Sequence, residues 1–264
     1  MWYETFFADS NLKIARVVDA LNRAADRGEP AGLDTEFYGL DIRRQSTVAT
    51  SKLHLLSVAV RRHPARVHPR GFGVADAAVF LRPALDHPAL ARWLEGPAPK
   101  VVHNLPVDAH TLCNEGVALG GGINSLALSR WAWPGRARAE GFTLDALARD
   151  LLGVGKTESF QELFRREEVI YRVRSRRIPF CECGVAPRRG HPRSSTPGHA
   201  RLDRVEETRI PKTIMVPVPL EEVVPGHVLW PRALAYSAQD AVLALAVHEL
   251  ALRDMTKTKR VLPW

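Results

Sequence analysis

Leu33-Asp34-Thr35-Glu36-Phe37 is the stretch that decides the fold: it sets two carboxylates two positions apart at the end of the apolar run Ala31-Gly32-Leu33. Successive side chains on a strand take opposite faces, so Asp34 and Glu36 share one face while Leu33, Thr35 and Phe37 take the other. Two anions side by side against a core repel each other and lose hydration, and cations between them relieve both penalties. The pair reads as half of a metal site. An exposed turn explains a lone Asp-x-Glu just as well, so the rest of the chain has to decide.

With 264 residues, 45% hydrophobic and 25% charged, the chain can bury one sizeable core, as one domain or as one domain carrying an insertion. The start, MWYETFFADSNLK, lacks a basic segment followed by an apolar one, and no apolar run reaches membrane-spanning length. The expectation is a soluble, cytoplasmic protein with no membrane partner. Cys113, Cys181 and Cys183 are too few and too unevenly placed for a disulfide framework. The net charge of +8 favours an anionic partner, and its location is more telling than its size. Between Arg165 and Arg204 stand eleven arginines against four acids, so most of the excess sits in one segment.

Leu12, Ala15, Val18, Leu21 and Ala25 have helical spacing, with Ser10 or Asn11 as N-cap and Gly28 as the stop. After the carboxylate strand and a polar loop over 39–52, Leu53 to Val60 and Ala77 to Leu81 read as buried strands. Helix and strand then alternate. Helices are expected over Pro88 to Leu94, Val107 to Glu115, Asn124 to Trp133, Thr143 to Leu152 and Ser159 to Arg165, with a short strand at Lys100-Val101-Val102. Strands followed by helices packed on them imply an α/β or α+β layer fold. Residues 167–230 read differently: extended arginine-rich runs and many prolines predict a long basic hairpin or β-rich insertion with its tip in 184–198, disorder being the alternative. The core resumes in a strong helix from Pro231 to Arg253.

That last helix carries Tyr236, Asp240, Leu243, Val247 and Leu250 at steps of four, three, four and three, one continuous face. A carboxylate in line with a leucine stripe points toward the core, unless the face begins outside the core and Asp240 is simply exposed. In Val101-Val102-His103-Asn104-Leu105-Pro106-Val107-Asp108 a buried strand ends in His-Asn and a helix begins whose first turn holds Asp108. Acidic residues favour helix N-termini in any case, which alone would account for Asp108.

Together these three stretches resemble the 3'-5' exonucleases of the DEDD superfamily, in the subclass with a tyrosine in the last motif. Asp34-Thr-Glu36 is similar to the first motif, His103-Asn104 with Asp108 and Leu112 to the second, and Tyr236-x-x-x-Asp240 to the third. Asn124-Ser-Leu-Ala-Leu-Ser-Arg-Trp, Thr143-Leu-Asp-Ala-Leu-Ala and the run from Gly155 to Phe164 resemble the connecting helices of the proofreading domain of DNA polymerase I. The resemblance covers roughly 28–165 and 231–253. It implies a ribonuclease H-like mixed central sheet flanked by helices, an exonuclease domain over 1–166 and 231–264, and a basic insertion over 167–230 that it does not cover. Asn124 stands where the family's connecting helix usually has an aspartate, and is not expected to bind metal.

The resemblance further implies that Asp34, Glu36 and Asp240 hold one Mg2+ or Mn2+, that Asp34 bridges to a second which Asp108 supports through waters, and that Tyr236 orients the attacking water. His103 and Asn104 would contact the terminal nucleotide, and Phe37 would wedge against its base, although a core aromatic accounts for Phe37 equally. The expected partners are single-stranded or frayed nucleic acid 3' ends, DNA ahead of RNA, and a polymerase or replication protein. Asp34-Thr-Glu-Phe37 also resembles ribonuclease D, which keeps RNA trimming open. A catalytically quiet nucleic-acid-binding module is the remaining alternative. In the insertion, Cys181, Cys183, His191 and His199 form the ligand set of a structural Zn2+, against ordinary cysteines and loop histidines. Arg172, Arg174 and Arg176 would present a cationic strip to a phosphate backbone, against a merely solvated face.

Overall fold

Short apolar segments that alternate with helix-forming ones leave the chain one efficient way to cover a sheet, with helices on both faces. The computed structural model describes residues 3–38, 51–62, 75–136, 141–155, 165–181, 201–218 and 220–258. It divides into two units, 1–164 with 219–264, and 165–218. In the first unit, β1 (Tyr3–Phe7), α1 (Asn11–Asp26), β2 (Ala31–Tyr38), β3 (Lys52–Arg61) and β4 (Ala75–Leu81) lead into α2 (Pro88–Glu95), β5 (Lys100–Val102) and α3 (Leu105–Asn114). Then come β6 (Gly122–Asn124), α4 (Ser125–Ala132), α5 (Leu144–Leu147) and the closing helix α6 (Trp230–Lys257).

The six strands lie in the order β1-β4-β3-β2-β5-β6. β3 is antiparallel to both β2 and β4, while β5 runs parallel to β2 and to β6, and β1 parallel to β4. Without the added edge strand β1, this is a three-strand meander extended by two parallel strands from its first member, the ribonuclease H-like strand order. One sheet face carries α1 and α2, whose Ile14, Val18, Leu21, Leu90 and Leu94 share a core with Leu33, Val58, Phe80 and Val102. The expected cap of α1 is present: Ser10 Oγ accepts from Lys13 N.

The other face carries α6, and this helix is buried almost all round from Ser237 to Ala251. Such a helix needs partners on every side. Ala244 and Leu245 meet Val101 of β5. Leu243, Val247 and Leu250 meet Leu144, Leu147 and Leu152, and Ala251 with Met255 meets Leu128 and Ala132 of α4. Among the described residues no helix is long and apolar enough to cross a membrane.

Several elements differ from the sequence expectation. β1 and β6 are additional strands, and α6 extends to Lys257. Thr143 to Leu152 is not one α-helix but the four residues of α5 running into a π-helical turn, Ala148–Leu152, which ends at Gly153 with φ of 68°. The loop over 39–50 and the helix expected from Ser159 lie outside the described residues.

Lys100, at the start of β5, is fully buried. Its Nζ donates to the carbonyls of Gly96, Ala98 and Gly120 at 2.9, 2.9 and 3.0 Å and stands 4.7 Å from the Trp93 ring centroid. Three acceptors match the three N–H bonds of an ammonium group, and burial pushes its pKa down to about 8. The clamp ties the turn after α2 to the glycines before β6. There a Cβ on Gly121, whose φ is 64°, would fall 2.3 Å from the Ala98 carbonyl oxygen.

The second unit is the expected hairpin. β7 (Arg165–Cys181) and β8 (Arg201–Pro217) are antiparallel and paired from Arg165↔Pro217 to Cys181↔Arg201. Pro179, Pro211 and Pro217 lie inside this ladder, tolerable because each strand of a two-stranded ribbon keeps one open edge. The unit spans 165–218, narrower than the expected 167–230. Residues 220–230 join the first unit, where the imidazole of His54 bonds the Val223 carbonyl at 2.9 Å and Trp230 packs edge-on against Phe7.

Two stability measurements follow from the buried cations and imidazoles. Lys100→Met leaves three buried carbonyls without their donor and is expected to cost roughly 3 kcal/mol in urea unfolding. His248 of α6 is buried, and burial pushes its pKa down from 6.5 to about 4. The unfolded chain then takes up this proton first as pH falls, so stability is full above pH 6.5 and declines toward pH 4. Between pH 7 and pH 4.5, His248→Leu should lose about 2 kcal/mol less than the parent chain.

Candidate metal centre

Gly32 lies one residue into β2, on the same face as Asp34 and Glu36. A Cβ there would fall 2.1 Å from the carbonyl oxygen of Ala241 and 3.1 Å from Leu245 Cβ. The backbone of α6 therefore rests directly on β2, a closeness that only glycine allows. This contact brings Asp240, the residue before Ala241, over the strand next to the first pair. One carboxylate oxygen each from Asp34, Glu36 and Asp240 lie within 4.8 Å of one another. Asp34 and Glu36 are half-buried and Asp240 is 6% exposed. Tyr236 is half-buried one turn earlier on α6.

The fourth expected carboxylate takes a different position. Asp108, 4% exposed in the first turn of α3, is not one of these three. Its Oδ1 accepts from Thr35 N at 2.9 Å and from Thr35 Oγ1 at 2.7 Å. The reason lies in the sheet: β5 pairs with β2 only as far as Leu33↔Val102, so beyond that point the β2 edge needs another partner. Asp108 fills that gap. Burial pushes its carboxyl up to about 7, the nearby Asp240 charge adds to the rise, and the two Thr35 bonds oppose it.

Three like charges with oxygen donors only, two of them accessible to water, match the needs of a hard divalent cation such as Mg2+ or Mn2+. The group can hold such an ion where the sheet meets α6.

The other expected site residues are placed less uniformly. His103 has both ring nitrogens committed: Nε2 donates to the Phe142 carbonyl at 2.9 Å, and Nδ1 accepts from Ser125 Oγ at 3.0 Å. It braces β5 against α4 and the segment before α5. Asn104 is exposed in the left-handed region, φ 70°, at the N-cap of α3. Phe37 is half-buried just past the β-bulge between Glu36 and Phe37. Asn124 Oδ1 accepts from Leu126 N and Ala127 N and so caps α4. Arg172, Arg174 and Arg176 lie on β7 in the other unit. Cys181 closes the hairpin ladder, while Cys183, His191 and His199 lie outside the described residues.

A cavity of about 890 Å³ opens past the end of β2, lined among others by Tyr38, His54, Arg82, Asn114 and Glu115. Part of its polar lining is already engaged, since Glu115 accepts from Leu53 N and from Arg82 Nε.

Two residues that shape the candidate site, Gly32 and Thr35, were not singled out from the sequence. Gly32 had a signal, an isolated glycine inside a strand pattern. Thr35 had none, because it faces away from the carboxylates and its partner is distant in sequence. Gly32→Ala should lift α6 from β2, weakening Mn2+ binding in calorimetry at least tenfold and lowering stability by roughly 2 kcal/mol.

No family model and no curated protein matches the sequence. Solved structures do. The POL domain of Pol1 from M. smegmatis, in complex with DNA primer-template and dNTP, overlaps 53% of this chain and 22% of its own, at 21% identity and a TM-score of 0.38. The EXD2 exonuclease domain soaked in Mn and GMP overlaps 58% of this chain and 71% of its own, at 17% identity and a TM-score of 0.35. The same domain soaked in Mn overlaps 60% and 73%, at 18% identity and a TM-score of 0.34. The chain thus spans about a fifth of the polymerase it matches. Strand order and the seating of α6 on β2 identify the chain's own fold as mixed α/β of the ribonuclease H-like kind.

Proposed function

We propose that this chain is a divalent-cation-dependent 3'-5' exonuclease that hydrolyses phosphodiester bonds at single-stranded or frayed 3' ends, DNA ahead of RNA. The observation that carries the reading is the cluster of Asp34, Glu36 and Asp240, with oxygens within 4.8 Å of one another and open to water on one side. The motifs that resemble the DEDD superfamily supply the reaction class. Among the described residues it is the one such grouping of carboxylates with metal-ligand spacing.

Asp34, Glu36 and Asp240 would hold Mg2+ or Mn2+, with Asp108 supporting a second ion through waters. When bound, such ions supply Lewis acidity to the attacking water and to the departing oxygen. The chain's own groups do the rest. Tyr236 orients the water with its phenol, which need not ionise to do so. Thr35 fixes the Asp108 carboxylate behind the cluster. Water adds to the terminal phosphorus, the bond to the penultimate 3' oxygen breaks, that oxygen takes a proton, and a 5' mononucleotide leaves. Phe37 and the exposed Asn104 are the candidates for holding the last nucleotide. The first unit is then the catalytic body.

RNA trimming of the ribonuclease D type remains the second reading, favoured by Asp34-Thr-Glu-Phe37. A catalytically quiet binding module fits less well, since it has no use for four carboxylates and a tyrosine together. The test is digestion of end-labelled DNA and RNA oligonucleotides with Mg2+, Mn2+ or EDTA. Asp240→Asn should reduce cation-dependent release of 5' mononucleotides from 3' ends to background and abolish Mn2+ binding, with the circular dichroism spectrum retained. Undiminished release by a rigorously purified Asp240→Asn chain would overturn the assignment.

A further inference from the structure

The strand register of the hairpin sorts its charges in a way the linear sequence conceals. Residues paired directly across an antiparallel ladder share a face, and the face alternates along each strand. The pairs Arg172↔Ile210, Arg174↔Thr208, Arg176↔Glu206, Ile178↔Arg204 and Ile170↔Lys212 put all even-numbered positions of both strands on one face. That face carries six cations and two acids, Glu168 and Glu206. The odd-numbered face carries four cations and three acids, Glu167, Asp203 and Glu207. One face of the ribbon is therefore basic and the other nearly balanced.

We propose that the hairpin is a duplex-binding arm, whose face with Arg172, Arg174, Arg176, Arg204 and Lys212 engages the phosphates of double-stranded nucleic acid. The substrate class becomes a 3' end carried on a duplex, and this inference rests on the exonuclease reading above. Three features favour a duplex. Strands of 17 residues span roughly 55 Å, longer than the ~35 Å of one duplex turn. A two-stranded ribbon fits a major groove and twists with a constant hand, so it can track one. Sites for single strands pair cations with aromatic platforms, and on the basic face the one aromatic of the two strands, Phe180, lies beyond the arginine run at 172–176. Tyr171, 63% exposed, belongs to the other face. Lys212 is exposed on the basic face, as contact with phosphates requires.

The test uses the full chain in EDTA, where binding is read without cleavage, by fluorescence anisotropy against a blunt 20-base-pair duplex, a single strand of equal length and anionic vesicles. The parent chain should bind the duplex with a log–log salt slope of about −4.5, from some five phosphate contacts at roughly 0.9 each. Replacing Arg172, Arg174, Arg176 and Lys212 by serine should weaken duplex binding at least tenfold and flatten that slope by about 3 or more. Serine at Arg165, Arg177, Arg201 and Arg209 on the opposite face should change it less than threefold. Equal losses from the two sets, a parent slope no steeper for duplex than for single strand, or preferential binding to vesicles would overturn the arm. A parent chain that binds duplex in this way but releases no mononucleotide with Mg2+ would instead sink the exonuclease reading alone.

Discussion

The molecule depends on a contact without side chains, the seating of α6 on β2 at Gly32. A strand and a helix usually stand about 10 Å apart because side chains fill the space between them. Here the Ala241 carbonyl occupies the room a Cβ would need, and small residues at Ala238, Ala241 and Ala244 keep that side of the helix slim. Closeness is what lets carboxylates from two distant segments address the same point. Gathering like charges there is costly, and the cost is offset below Asp240, where Leu243, Val247 and Leu250 anchor the helix in an apolar layer. The acidic end and the apolar body of one helix are mechanically a single part.

Buried charge is handled in two ways within the first unit. Lys100 and Asp108 are each matched locally, the first by three carbonyls and a tryptophan ring, the second by the amide and hydroxyl of one threonine. Both act at places where regular sheet pairing gives out: Lys100 at the glycine turn before β6, Asp108 where β5 stops. Asp34, Glu36 and Asp240 are instead drawn together, an arrangement that raises the electrostatic potential energy of the fold without improving its pairing. Asp108 stands between the two arrangements, bonded to Thr35 and close enough to Asp240 to feel its charge.

Most of the fold was legible in the sequence because its signals are strong and local. The alternation in β2, the apolar runs of β3 and β4, the cap of α1 and the stripe on α6 each report a periodicity that tertiary structure then used. β1 and β6 were not legible: one is an edge strand with mixed composition, the other three residues after a glycine run, and both owe their pairing to neighbours far along the chain. Asp34, Glu36 and Asp240, taken from the sequence as one group, stand with carboxylate oxygens within 4.8 Å of one another. Asp108, which the resemblance sets beside a second ion, also closes the β2 edge through Thr35, a contact fixed by how far β5 extends and not legible in the sequence. His103 shows the same limit, since nothing in His-Asn announces that Ser125 and Phe142 will claim both nitrogens.

The hairpin enters and leaves through adjacent residues, Arg165 paired with Pro217. To the remainder of the chain, the insertion over 165–217 therefore presents the same short gap as a tight turn, and a paired base spares the host the growing entropy of an open loop. Such a segment can lengthen, shorten or change its charge pattern with little effect on the sheet that carries it. Adaptation to new partners can thus proceed on the arm while the geometry around Gly32 is held fixed, which puts the molecule's capacity to diversify and its need for exactness in separate stretches of chain.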